Sequence, residues 1–206
     1  GCSADGNLVI HAKIYDAMKE ALVKEGGYLC NADEKALLAK ALWKEDGSRR
    51  IETVAIAAQK IAEFAGFEIP EDRKFLMVEQ EEIGYEHKFS GEKLSVTMAL
   101  YKAADFDDAL AKVRAIYNVG GKGHSCGIYS FNADHIIRHA MNAPVSRVMV
   151  RQPQSKANAG SFENGMPMTS SLGCGIWGGN ITNENVSLKH YMNVTWVARP
   201  IPADRP

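Results

Sequence analysis

The chain predicts an α/β fold with a mostly parallel sheet flanked by helices. Three observations carry this. Short apolar runs alternate with amphipathic stretches along residues 8–150, the order expected of strand–helix–strand units. Glycines at 26–27, 66 and 120–121 close the helical stretches, as helix stops do. The 206 residues are 46% hydrophobic and 24% charged, enough apolar material for a substantial core.

The elements follow in order. Residues 8–10 (Leu-Val-Ile) read as a strand. Residues 14–23 carry Ile14, Ala17, Met18, Ala21 and Leu22 at helical spacing, and 33–43 repeat the pattern with Ala36, Leu37, Ala39, Leu42 and Trp43. A third helix is expected over 53–64, stopping at Gly66. Strands are expected at 75–78 and 96–101, a helix at 106–117, a strand at 125–129, a helix at 133–141 opened by Asn132 as N-cap, and a strand at 145–150. In such sheets, catalytic groups tend to sit on loops beyond the carboxyl ends of strands. From 152 to 185 the texture changes to Gly, Ser, Asn and Met with little periodicity. A long irregular segment of this kind is usually functional or disordered, and the absence of a charge run favours an ordered loop. Residues 191–197 alternate like a strand that would pair with a neighbouring subunit or another domain. A Pro-rich tail follows.

The balance of charge excludes several classes. A formal net charge of -1 gives no electrostatic argument for nucleic acid or an anionic membrane. No apolar run approaches the ~20 residues that span a bilayer. Cys2, Cys30, Cys126 and Cys174 are far apart and form no C-x-x-C pair. A disulfide framework or zinc site is therefore not expected, and reduced thiols in a cytoplasmic protein are.

The residues offer three constellations and a decoy. Gly173-Cys174-Gly175-Ile176-Trp177-Gly178 is a literal G-x-G-x-x-G. It lacks the preceding buried strand, the following helix and the later acidic residue that a dinucleotide fingerprint needs. It reads as a Gly-rich turn for close backbone packing. Cys2 lies in Gly1-Cys2-Ser3-Ala4-Asp5-Gly6-Asn7, just ahead of the first strand. A thiol with a lowered pKa is a good nucleophile, and a chain that opens at one is expected to be a piece of something longer. His124 stands in the Gly-rich turn Gly120-Gly121-Lys122-Gly123-His124-Ser125 before a strand. On spacing alone, Cys2 and His124 read as a small packed thiol and a surface imidazole rather than as a catalytic pair. Glu92 precedes another strand and by itself reads as a solvated carboxylate. His135 and His139 share a helical face at i, i+4 and, with no third ligand, read as solvent-facing.

Taken together, these segments resemble the aldehyde dehydrogenase superfamily, specifically its CoA-acylating branch, over nearly the whole chain. The motifs are Cys2-Ser3-Ala4, Gly27-Tyr28-Leu29, Glu92-Lys93-Leu94-Ser95 (with Val96 where the branch has proline), Gly120 to Ser125, and Leu172 to Asn180 with Glu184-Asn185 and Lys189-His190. The resemblance implies a Cys2 thiolate that attacks an aldehyde, transfer of hydride to NAD or NADP, a thioester on Cys2, and coenzyme A as acyl acceptor. It implies His124 as acid/base for the CoA step and Glu92 as holder of the nicotinamide ribose. It divides the chain into a catalytic thiol domain at 1–151, an active-site and interface loop at 152–188, and a C-terminal oligomerisation strand and tail at 189–206. The cofactor domain would lie upstream, so this chain alone is expected to have no dehydrogenase turnover. A homo-oligomer formed through the C-terminal strand is implied as well. The segment Arg151-Gln152-Pro153-Gln154-Ser155-Lys156 most resembles branch members that act on sulfoacetaldehyde. Arg151 and Lys156 are candidate contacts for an anionic substrate, since both bind oxyanions by charge-assisted hydrogen bonds. They read equally as surface charges or contacts to CoA phosphates. Acetaldehyde as substrate and a non-catalytic oligomerisation unit are the alternatives.

Overall fold

A computed structural model describes residues 4–202. Its centre is a four-stranded sheet of β1 (Asn7–His11), β2 (Gly27–Leu29), β3 (Phe75–Gln80) and β4 (Thr97–Ala103), in the order β1-β4-β3-β2. Every pairing is parallel. A second parallel pair joins β5 (Cys126–Ile128) to β6 (Val148–Val150).

Central parallel strands are covered on both faces and so read as continuous apolar runs. Leu76, Met77, Val78, Ala99, Leu100 and Tyr101 are all fully buried. Alternation then sends them to opposite sides. Leu76, Val78, Ala99 and Tyr101 meet Leu38 and Leu42 of α2 (Ala32–Leu42), Ile61 of α3 (Ala58–Ala65) and Ile116 of α4 (Phe106–Val119). Met77 and Leu100 meet Ile10 and Tyr15, with Met18 and Leu22 of α1 (Tyr15–Lys24) packed alongside. Helices therefore flank both faces, as the sequence predicts.

Local chemistry sets the helix ends. Asn31 caps α2 in a reciprocal box with Glu34, Asp105 caps α4, and Asn132 caps α5 (Ala133–Asn142) as expected. Gly66 ends α3 at φ 90°, a left-handed position suited to glycine.

Four elements differ from expectation. β2 was not expected, because Gly26-Gly27 reads as a helix stop and the strand itself is short. The third helix begins at Ala58 rather than 53. Thr53 instead closes a 3-10 turn, donating its hydroxyl to the Arg50 carbonyl at 3.0 Å, and Ala55 takes φ 56°. Strand β6 is confined to Val148–Val150, with Val145 in a single bridge to Gly123. Residues 192–197 form no strand within this chain and are exposed. Strand hydrogen bonds need a partner, and the described residues offer none there. Tyr191 closes a 3-10 turn, Leu188–Tyr191. No helix of the described residues is long and apolar enough to cross a membrane.

Candidate active site

Of the residues singled out in sequence, Glu92 and His124 lie at the amino ends of strands, while Arg151 directly follows the carboxyl end of β6. Glu92 lies on the loop entering β4 and His124 on the turn entering β5. Cys2 lies outside the described residues, but Asp5 and Asn7, which carry the chain from it into β1, are both tied to this region. The reason is visible in the connections. The loops entering β1, β4 and β5 are bonded to one another through polar side chains, as follows.

Lys93 joins the Glu92 loop to β1. Its side chain is only 3% exposed, and Nζ donates to Asn7 Oδ1 at 3.0 Å, the Phe89 carbonyl at 2.7 Å and the Gly91 carbonyl at 2.9 Å. Three donors meet three acceptors, so the ammonium is fully hydrogen-bonded. Burial, with repulsion from Arg49, pulls its pKa down to about 7, while Glu92 opposes the shift. Asn7 returns a bond from Nδ2 to the Ser90 carbonyl at 3.1 Å. Leu94, immediately beyond, is held at φ 47°, a rare backbone for a non-glycine residue. The loop is therefore held from both sides of Glu92, whose own side chain is exposed.

His124 is half-buried. Burial lowers its pKa, the Arg147 charge adds to the effect, and Glu92 acts against it. The imidazole is thus neutral near pH 7. Its Nδ1 lies 3.1 Å from Ser125 Oγ. Ser125 Oγ donates to Gln154 Oε1 at 2.9 Å and accepts from Asn158 Nδ2 at 2.9 Å. Gln154, on α6 (Gln154–Ala157), donates from Nε2 to Asp5 Oδ1 at 2.6 Å. Asp5 on the β1 side is so connected to the histidine turn.

The glycine-rich segment packs directly on that turn. A Cβ on Gly123, at φ +91°, would lie 2.4 Å from the Cys174 carbonyl oxygen and 2.6 Å from Gly178 N. No α-helix follows Gly178 among the described residues. The chain makes a 3-10 turn at Ile176–Gly178 and folds back, with Gly175 N donating to the Thr182 carbonyl at 2.9 Å. The literal G-x-G-x-x-G is a packing device, as its flanks imply. Arg147, 5% exposed, locks the two pieces together. It donates to Asn185 Oδ1 at 2.8 Å, the Gly173 carbonyl at 2.8 Å, the Asn183 carbonyl at 3.3 Å and the His124 carbonyl at 3.4 Å. Asn185 Nδ2 in turn donates to the Asn158 and Pro167 carbonyls at 3.0 and 2.8 Å. The 152–185 segment is ordered by such bonds, as expected of it.

The remaining candidates sit apart from this network. Arg151, at φ 52°, donates to the Ser130 carbonyl at 2.8 Å and stacks over the Phe131 ring at 4.6 Å. Lys156 is exposed on α6. His139 is not solvent-facing. It is 5% exposed, with Nε2 3.0 Å from Cys126 Sγ. Burial pushes the thiol up to about 12 and lowers the imidazole, so this thiol–imidazole pair is neutral and no thiolate nucleophile. His135 stacks on Phe106 at 3.9 Å. No cluster of metal-ligating side chains occurs among the described residues.

Sequence reasoning missed Asp5, Lys93, Arg147, Gln154, Asn158 and Asn185. One signal was present for Arg147, a cation set inside the apolar run 145–150.

No family model matches the chain. It is 39% identical over 209 residues to a sulfoacetaldehyde dehydrogenase of an Acholeplasma species, covering 100% of this chain and 43% of that protein. A sulfoacetaldehyde dehydrogenase (acylating) of Bilophila wadsworthia is 38% identical over 97% of this chain and 44% of that protein. The crystal structure of an acetylating aldehyde dehydrogenase from Geobacillus thermoglucosidasius matches at TM-score 0.89 and 32% identity, over 98% of this chain and 45% of the other. Along nearly its whole length the chain is similar to part of acylating and acetylating aldehyde dehydrogenases. A probable aldehyde dehydrogenase from Listeria monocytogenes has the same fold, with TM-score 0.91 at 26% identity. The chain spans less than half the length of these curated relatives. The matched length takes in the Glu92 loop, the His124 turn and the glycine-rich segment alike.

Proposed function

We propose that this chain is the thiol-bearing catalytic part of an enzyme that oxidises a small aldehyde to an acyl-CoA. The observation that carries the reading is the bonding of the β1 entry, the Glu92 loop and the His124 turn into one polar assembly. The Cys2 thiolate adds to the aldehyde carbonyl. Hydride would then pass to NAD or NADP, whose nicotinamide ribose Glu92 would hold, leaving an acyl thioester on Cys2. The exposed Glu92 carboxylate is free to accept two hydroxyl donors. His124, neutral at working pH, takes the proton of the CoA thiol. That thiol then attacks the acyl carbon and the Cys2 thiolate departs.

Sulfoacetaldehyde is the favoured substrate. Arg151 and Lys156 are exposed cations that would meet the sulfonate, and the two curated relatives described above bear that activity in their names. The alternative is an acetaldehyde-specific enzyme, in which these cations serve only the surface or CoA. The protein works in the cytoplasm as a homo-oligomer, with residues 191–197 pairing against a neighbour. Exposed Trp196, Val194 and Val197 support that pairing.

Kinetics of the full-length enzyme test the reading. NADH or NADPH should form with sulfoacetaldehyde and CoA, and Cys2→Ala should abolish it. Arg151→Ala or Lys156→Ala should lower kcat/KM for sulfoacetaldehyde more than for acetaldehyde. An unchanged preference would sink the substrate assignment. Iodoacetamide should label Cys2 faster than Cys30, Cys126 or Cys174, and equal rates would favour a non-catalytic unit instead.

A further inference from the structure

We propose that Asp5, Gln154 and Ser125 form a hydrogen-bond relay that fixes the tautomer of His124, leaving Nε2 as the proton acceptor for the CoA thiol. The role rests on the acyl-transfer reading of His124 above.

Accounting for donors and acceptors gives the direction of every bond. The Asp5 carboxylate accepts, so the group 2.6 Å from it must be the Gln154 Nε2 amide, not its oxygen. The backbone N–H of Gln154 points to the same carboxylate, at 3.4 Å from Oδ2. With Nε2 so committed, Gln154 Oε1 faces Ser125 Oγ at 2.9 Å. An amide oxygen only accepts, so the single Ser125 hydroxyl proton goes there. Asn158 is oriented independently. Its Nδ2 contacts the Gln154 backbone carbonyl at 2.9 Å, another group that only accepts. The second Nδ2 proton therefore goes to Ser125 Oγ, again at 2.9 Å.

Ser125 Oγ now has its proton spent and one lone pair left. His124 Nδ1, at 3.1 Å, can bond to it only as a donor. Nδ1 must carry the imidazole proton, and Nε2 of the neutral ring keeps its lone pair. The opposite tautomer would turn the Ser125 hydroxyl toward His124 and leave two oxygens, Ser125 Oγ and Gln154 Oε1, facing each other at 2.9 Å with no proton between them. Gly127 lies against the Gln154 side chain, where a Cβ would come to 3.5 Å from Nε2, an ordinary van der Waals contact. The relay starts at Asp5, in the segment that leads from Cys2 to β1. The segment between Cys2 and β1 thereby sets the protonation pattern of the base that completes the turnover. These three are positioning residues; none need touch the substrate.

Nitrogen-15 chemical shifts of histidine-labelled full-length enzyme test this directly, with His124 assigned from the spectrum of His124→Asn. The neutral wild-type ring should show a protonated Nδ1 and an unprotonated Nε2. Gln154→Leu frees the Ser125 hydroxyl to turn toward His124, and the tautomer should shift toward protonated Nε2. In the same variant, turnover with CoA should fall about tenfold, while the NADH burst formed without CoA keeps its amplitude and rate. Asp5→Asn, which keeps volume but lets Gln154 flip, should act in the same direction and serves if Gln154→Leu misfolds. A wild-type ring protonated at Nε2, or a tautomer unmoved in folded variants, would overturn the relay. A wild-type enzyme with no burst and no CoA-dependent turnover would instead sink the acyl-transfer reading and leave the tautomer result standing.

Discussion

Replacing Arg147 with methionine should unfasten the site from its scaffold. The guanidinium makes two bonds at 2.8 Å, to Asn185 Oδ1 and the Gly173 carbonyl, and two longer ones to the Asn183 and His124 carbonyls. Methionine fills much of the volume but donates nothing. Each buried acceptor left without a partner costs about 1–3 kcal/mol. The two short bonds alone give roughly 2–6 kcal/mol. Burial depresses the arginine's pKa, so the charge itself carries a desolvation cost that its removal recovers in part. A net loss of about 3 kcal/mol is expected at the level of these magnitudes. Urea unfolding of the full-length enzyme would show it as a midpoint shift of roughly 1–2 M, for a slope near 2 kcal/mol/M. Turnover with CoA should fall as well, because the His124 turn and the glycine-rich segment lose their common anchor. Arg147→Lys keeps the charge but not the fork geometry and should fall between the two. A loss below about 1 kcal/mol with unchanged turnover would refute the view that this side chain organises the site.

Other consequences are similarly direct. Gly123→Ala forces a Cβ to within 2.4 Å of a backbone oxygen at φ +91°; activity should be lost while helix content, read by circular dichroism, is retained. Lys93→Met frees the Glu92 loop from Asn7 and should raise the KM for the nicotinamide cofactor on the order of tenfold, as small displacements of positioning groups do, with the KM for CoA unchanged. His139 has a lowered pKa in the fold, so below the ordinary imidazole value of ~6.5 the unfolded chain binds the extra proton. Stability from this residue is therefore present above that pH and lost as pH falls, by at most about 1.4 kcal/mol per pH unit. His139→Gln should flatten that part of the stability profile between roughly pH 6.5 and 5, and an unchanged slope would count against the buried neutral pair.

Much of this fold is legible in the chain because its strands and helices are long or densely apolar. Residues 75–78 and 106–117 declare themselves by spacing alone. β2 does not, since three residues beginning with glycine carry too little pattern. Residues 191–197 alternate like a strand, yet strand structure is a property of two segments, and pattern in one cannot supply the other. The third helix starts later than expected because the backbone turns at Thr53 and Ala55 instead. In the site, Glu92 and His124 are readable through their motifs. Lys93 is not, because a lysine in a loop ordinarily reads as solvated, and only the Phe89 and Gly91 carbonyls together with the Asn7 amide oxygen make burial tolerable. His139 misleads for the opposite reason: a polar residue on a helix, paired at i, i+4 with another, gives no hint of the thiol it faces.

The 152–185 segment is secured chiefly by amide, hydroxyl and guanidinium bonds, with little apolar surface hidden beneath it. Its local opening would expose few hydrocarbon groups and should carry a small heat-capacity change and a weak dependence on denaturant. Amide hydrogen exchange around Asn158 and Asn185 should then proceed through a sub-global event that urea hardly accelerates, while exchange in β3 and β4 follows global unfolding. The roof of the site and its floor are thus held by different forces, and temperature, salt and denaturant will loosen them separately.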